Sequence, residues 1–161
     1  WDSILSAGFG EIIILTNSDS PHRKHELFAK AKFDILYTQD DDAICPISEL
    51  QRLSDPTMIN LATKEGHFNS YSALKTAVGF GWVAIFPKSI LVSLKRYTDK
   101  YGEDEIFKRE TERILMCLNY PQNRLILPIQ DLPSAYAPDR LSMQPNHYSL
   151  IPLTIERCKD I

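Results

Sequence analysis

A chain of 161 residues has room for one domain with a real hydrophobic core. Its net charge of -3 gives no overall attraction to a polyanion, so composition offers nothing in favour of nucleic acid, although a local basic face is compatible with that sum. No apolar run approaches the roughly 20 residues of a membrane span, and no signal-peptide pattern opens the chain, which together predict a soluble, cytoplasmic domain. Cys45, Cys117 and Cys158 are odd in number, far apart and without CxxC spacing. That argues against a zinc site or a disulfide framework and for thiols that serve as small packing residues in a reducing compartment.

In chain order, Trp1 to Ala7 reads as the tail of a helix closed by the Gly8-Phe9-Gly10 turn, and Glu11 to Thr16 as the first clear strand. A helix feeding a buried strand normally completes a βαβ unit, so a preceding strand is expected upstream of Trp1. Asn17-Ser18-Asp19-Ser20-Pro21 is a dense turn signal, with Asp19 or Ser20 as N-cap and Pro21 at the first helical position. The helix from Pro21 to Ala31 places Leu27, Phe28 and Ala31 on one side. Its start carries His22, Arg23, Lys24 and His25, cations that oppose the helix dipole. They form either a solvated polar turn or a set of positive groups facing a phosphate.

Phe33 to Tyr37 is an apolar run of the kind found in strands buried on both faces, as in a parallel sheet covered by helices. It continues through Thr38 and Gln39 into Asp40-Asp41-Asp42. Three adjacent carboxylates repel one another unless they sit in water or meet positive charge. At the C-terminal edge of an open α/β sheet, where ligands bind, a hard divalent cation holding a phosphate-bearing substrate meets that need economically.

Pro46 to Leu53 reads as a short helix, Thr57 to Ala62 as a strand, and Lys64 to Ser72 as a polar loop. Val78 to Phe86 is an aromatic strand in which Gly79 and Gly81 alternate with Phe80 and Trp82. Glycines in a strand mark a bulge or the close approach of a ligand, and Trp82 is either a platform for a sugar ring or plain core. Pro87 starts a helix with Ile90, Leu91, Leu94 and Tyr97 at helical spacing, stopped by Tyr101-Gly102. Glu103-Asp104-Glu105 opens the next, which runs to Leu118 with Phe107, Ile114 and Leu118 as its buried stripe. Glu110 and Glu112 lie off that stripe and project about 200° apart, so at most one can face a given site. Arg124 to Pro128 is a last strand, followed by a polar, proline-containing tail through Gln144-Pro145-Asn146-His147-Tyr148. Such a tail often closes over a site.

The order of strand, acidic cluster and alternating helices and strands resembles the GT-A glycosyltransferases, the nucleotide-diphospho-sugar transferase fold. That resemblance rests on Asp40-Asp41-Asp42 as a DxD motif, Phe80-Gly81-Trp82, Glu110-Thr111-Glu112-Arg113 and the tail around His147. It spans most of the chain as an order of motifs. It implies one α/β domain over residues 1–161, three-layer α/β/α with a mostly parallel central sheet, truncated at its N-terminus. Asp40 and Asp42 would hold manganese or magnesium with His147 as a further ligand. Asp41, Gln39, Gly81, Trp82 and Asn17 would contact donor or acceptor. In the family an adjacent Glu-Asp pair supplies the general base; here the pattern is Glu-Thr-Glu, with Glu112 favoured and Glu110 second.

The implied reaction is transfer of a sugar from a UDP- or GDP-sugar to an acceptor hydroxyl, with inversion of the anomeric carbon as the expected outcome. The metal would neutralise the departing diphosphate while a carboxylate takes the acceptor's proton. Two other readings share the fold: a nucleotidyltransferase that makes sugar nucleotides, and a non-catalytic module that binds sugar or a protein partner. A phosphate-transfer receiver domain also clusters aspartates at strand ends, but the Gly-Phe-Gly-Trp strand has no place in it.

Overall fold

Residues 8–14, 23–40, 43–50, 55, 57–63, 83–132 and 149–161 are described by a computed structural model. In chain order they form α1 (Arg23–Lys30), β1 (Ile35–Gln39), β2 (Ala43–Ile44), α2 (Ile47–Leu50), β3 (Asn60–Thr63) and β4 (Val83–Pro87). A 3-10 turn (Lys88–Leu91) then leads into α3 (Val92–Tyr101), α4 (Glu105–Leu118), β5 (Asn123–Ile126), β6 (Gln130–Asp131) and α5 (Ile151–Lys159). The result is a mixed α/β structure around a four-stranded sheet of order β1-β4-β3-β5, beside a two-stranded ladder of β2 with β6.

The sheet is built around β4, whose burial on both faces reflects its sequence. Ala84 and Phe86 point to one side, and Val83 and Ile85 to the other. On the first side they join Leu36, Leu61, Ile90, Leu94, Tyr97, Ile114 and Leu115, the core shared with α1, α3, α4 and α5. Phe28 of α1 meets Phe86 edge-on, with ring centroids 5.2 Å apart. The second side holds a smaller cluster of Ala43, Cys45, Ala62, Val83, Leu127 and Ile129. Among the described residues that cluster takes nothing from a helix, so the helical layer expected there is not seen.

Three expectations about the sheet are corrected. Pairing is not mostly parallel among the described strands: β1 with β4 and β3 with β4 run antiparallel, and only β3 with β5 runs parallel. Nor is β1 buried on both faces. Among the described strands it lies at the edge, with Leu36 and Thr38 inward, while Phe33 and Ile35 are 50% and 47% exposed. An antiparallel edge strand covers one face, so its apolar residues divide between core and surface. The strand expected over Glu11 to Thr16 is likewise absent from residues 11–14, which pair with no neighbour and leave Ile14 61% exposed. A strand persists only where a ladder satisfies its backbone groups. Instead, Glu11 accepts a hydrogen bond from the Lys32 backbone N–H at 2.9 Å, and Phe9 stacks on Tyr37 at 5.1 Å.

Parallel β3 and β5 are cross-linked by two asparagines in register, Asn60 buried and Asn123 half-buried. Asn60 Oδ1 accepts from Asn123 Nδ2 at 3.0 Å, and Asn60 Nδ2 donates to the carbonyls of Asp55 at 2.6 Å and Met58 at 3.0 Å. Asn60 is wholly buried, and these partners satisfy its amide.

Gly102 ends α3 at φ 75°, a left-handed backbone that a side chain would oppose. Asp104 then caps α4 by accepting from the Phe107 N–H at 2.9 Å. The polar tail read from sequence contains α5, which that reading missed. Arg157 of α5 donates to Asp104 Oδ2 at 2.5 Å and to the Tyr97 hydroxyl at 3.1 Å, and lies over the Tyr101 ring at 4.7 Å. Asp160 accepts from the Tyr101 hydroxyl at 2.6 Å. The fifth helix is thus tied to the ends of α3 and α4.

Partial burial pushes the Asp104 carboxyl up, but the Phe107 N–H and the Arg157 guanidinium outweigh it and hold the group below its ordinary 3.8. A carboxyl depressed in the folded state stabilises above its unfolded pKa, and that contribution is lost as pH falls through the folded value. Thermal unfolding of the wild type is therefore expected to shift downward as pH drops below about 4. Asp104→Asn should show a smaller shift over the same range; equal shifts would remove Asp104 from the account. Asp104→Ala should cost about 1 kcal/mol through the cap alone.

Candidate functional site

Asp40 is the first residue past β1, at the sheet edge where the chain turns toward β2. Gln39 Nε2 donates to the Ala43 carbonyl at 2.8 Å, and the Ala43 N–H donates to the Asp40 carbonyl at 3.4 Å, so the end of β1 is tied to the start of β2. Gln39 Oε1 also accepts from the Tyr37 hydroxyl. Both ends of that amide are therefore engaged within the turn.

The first turn of α1 and the middle of α4 come to the same place. Lys24 Nζ donates to Asp40 Oδ1 at 3.2 Å and to Glu112 Oε1 at 2.8 Å. One ammonium thus joins two carboxylates that are remote in sequence, one at a strand end and one on a late helix. All three side chains are reachable from solvent, at 42% exposure for Asp40, 31% for Glu112 and 22% for Lys24.

Burial pushes the Lys24 ammonium down, but Glu112 and Asp40 together more than reverse this, and its pKa lies above the ordinary 10.5. Burial likewise pushes Glu112 up. Lys24, His25 and Arg113 outweigh it and hold Glu112 below its ordinary 4.5. At neutral pH the pair is charged. His25, buried next to Lys24 and edge-on to Phe28 at 5.4 Å, belongs to the support of this site.

Glu110 is placed elsewhere. Its backbone leaves helical geometry (φ -116°, ψ 20°) in a kink of α4, where the Thr111 hydroxyl donates to the Phe107 carbonyl. The Glu110 side chain is 5% exposed and accepts from Arg113 Nε at 2.8 Å. Of the two glutamates, then, Glu112 meets Asp40 through Lys24, and Glu110 is paired inside the fold.

Asp41, Asp42, His147, Gly81, Trp82 and Asn17, the other residues singled out in the sequence, lie outside the described residues. Among the described residues no group of three or more metal-ligating side chains gathers. What Asp40 and Glu112 do provide is ionised oxygen, the donor chemistry of a hard divalent cation, already gathered around a positive charge. Lys24 was visible in the sequence only as one of several cations at an unfavourable helix end. The signal was that misplacement: a cation at a helix N-terminus needs carboxylates nearby, and a strand end offering three was the obvious source.

No protein-family model matches the chain, and comparison with curated proteins and with solved structures finds nothing similar to it. No helix among the described residues is long and apolar enough to cross a membrane.

Proposed function

We propose that the chain is a metal-dependent glycosyltransferase that moves a sugar from a nucleotide-diphosphate donor, UDP- or GDP-linked, to an acceptor hydroxyl. The observation that carries this reading is the meeting of Asp40 with Glu112 at Lys24. A reaction of this class needs a cation-binding acid and a proton-accepting acid within one substrate length, and these two residues belong to separate motifs in the sequence.

In this reading Asp40, with Asp42 and His147, holds manganese or magnesium, which when bound neutralises charge on the diphosphate. Glu112 accepts the proton of the acceptor hydroxyl. It suits that role because it is ionised, partly open to solvent, and held at one oxygen by Lys24, leaving the other for the acceptor. Gln39 acts indirectly, holding the turn that presents Asp40, while Asp41, Gly81, Trp82 and Asn17 are the candidates for donor and acceptor contacts. The paired Glu110 has a structural part in the same helix.

The test is thermal unfolding in a panel of sugar nucleotides with and without manganese. A ligand that binds only the native state raises its stability, by about 2.7 kcal/mol at a hundredfold excess over Kd. The expected result is stabilisation by one class of donor that requires the metal and disappears in Asp40→Asn. Stabilisation that ignores both metal and Asp40 would rule this reading out.

A further inference from the structure

We propose that the seam between α4 and α5 is a thiol modification site: a hydroperoxide oxidises Cys117, and Cys158 closes a disulfide on it that fastens the two helices reversibly. The inference is independent of the glycosyltransferase reading, since neither cysteine belongs to that site.

Helical spacing brings both thiols to one seam, along which α4 and α5 pack against each other. On α5, Ile151, Thr154 and Cys158 fall at the i, i+3, i+7 spacing of one face, and the first two are buried. Cys158 continues that stripe onto the core that holds Leu115 and Leu118 of α4. On α4, Cys117 falls at i+3 from Ile114 and i+4 from Arg113, both buried, and so lies on the face that α4 turns inward. Both thiols are half-buried there, within reach of a small oxidant. Cys45 is the contrast, buried on the other side of the sheet with Ala43 and Val83.

The two thiols are also unequal. Cys158 is the main cause that holds Cys117 below the ordinary 9.0; burial opposes it, and Arg113 and Lys159 add to the lowering. Cys117 in turn, together with burial, pushes Cys158 up. Two groups of one kind whose titrations are driven apart divide the roles between them. Cys117 is the better thiolate and attacks first, while Cys158 keeps its proton. Once Cys117 is oxidised, its charge no longer holds Cys158 up, and Cys158 can attack in its turn.

With hydrogen peroxide as the oxidant, the Cys117 thiolate attacks one oxygen, forming an S–O bond as the O–O bond breaks, and the second oxygen leaves as hydroxide and is protonated to water. The Cys158 sulfur then attacks the Cys117 sulfur. The S–S bond forms, the S–O bond breaks, and a second water leaves with the Cys158 proton. Two thiols have lost two electrons and two protons, and one peroxide has become two waters. A dithiol reductant reverses the change, so a pair that closes only on oxidation suits a compartment that keeps thiols reduced. Arg157 and Asp160 already tie this end of α5 to Asp104, Tyr97 and Tyr101 through polar contacts. The disulfide adds a covalent tie to a contact that is native, and it stabilises by constraining the long loop of unfolded chain between the two cysteines.

The reduced full chain is treated with an equimolar amount of hydrogen peroxide, and its products are mapped by mass spectrometry without reduction. The expected product has lost two hydrogens, carries a Cys117–Cys158 cross-link, leaves Cys45 as a thiol and returns to the starting mass with dithiothreitol. Its thermal midpoint should be raised by about 5 °C. In Cys158→Ser, sulfenic acid should accumulate at Cys117 and be trapped by dimedone, about tenfold more than Cys117→Ser accumulates at Cys158. A wild-type chain that forms no Cys117–Cys158 cross-link, or forms it no more than pairings with Cys45, overturns the proposal, and this arm depends on no variant folding. So does an oxidised chain with a lowered midpoint, because the bond would then distort the seam. Equal dimedone labelling of the two variants overturns the assignment of Cys117 as the thiol that reacts first.

Discussion

Arg113→Met is expected to destabilise the fold by about 3–5 kcal/mol, read as a lowered midpoint of chemical denaturation. Glu110 Oε2 and Arg113 Nε are 2.8 Å apart with side chains only 5% and 9% exposed, so the variant leaves a carboxylate buried without the guanidinium that compensates it. Both residues lie in α4 among Ile106, Phe107, Ile114 and Leu115, where water cannot take the place of the lost partner. The double variant Glu110→Leu, Arg113→Leu should recover much of the loss, because removing both charges also removes their desolvation. A loss under about 1 kcal/mol in the single variant would mean that the pair behaves as a surface ion pair.

Glu112→Gln, two residues from Glu110, is expected to have the opposite profile: near-native stability with turnover lowered about 10²- to 10⁴-fold on the glycosyltransferase reading. Glutamine keeps the shape and a hydrogen-bonding oxygen toward Lys24 but cannot accept the acceptor's proton. Donor affinity should change little. The acid limb of kcat/KM in the wild type should lie below the ordinary 4.5 of a glutamate, since Lys24 outweighs burial and holds Glu112 down. Activity retained within a few fold of wild type would transfer the base to another residue.

The contrast between these two glutamates shows how much of the site could be read from the chain. Their helical offset already required them to face different ways. Which one met the acidic strand end depended on the placement of α1, because Lys24 is what brings Glu112 to Asp40. A motif names residue types in order; it does not carry the direction of approach of a separate helix.

Much of the fold was legible where periodicity was strong. The helix over Glu105–Leu118 follows from its acidic first turn and apolar stripe, and α3 from Leu94 and Tyr97, both buried; the helix expected to start at Pro87 begins only at Val92, since Pro87 ends β4 and buried Ile90 lies in the 3-10 turn between. The strands at Asn60–Thr63 and Asn123–Ile126 lie within two or three residues of where composition put them. By contrast, α5 is not legible in the sequence, because Pro152 and a short, mixed sequence hide a helix that Arg157 docks on Asp104, Tyr97 and Tyr101. Cys117 of α4 and Cys158 of α5, far apart in the chain, come near enough for each thiol to shift the other's titration, down for Cys117 and up for Cys158, a proximity their spacing could not reveal.

By itself the sequence determined the helices with one apolar stripe, the turn that ends α3 at Gly102, and the concentration of negative charge at Asp40-Asp41-Asp42. These are local properties, set by side-chain period, backbone freedom and adjacent charge. Tertiary structure alone decided that β1 pairs antiparallel at the edge of the described strands, that Glu110 is paired inside α4, and that Lys24 binds Asp40 to Glu112. Pairing direction and the partners of a charge depend on which distant segment arrives beside them, and that is a property of the packed chain as a whole.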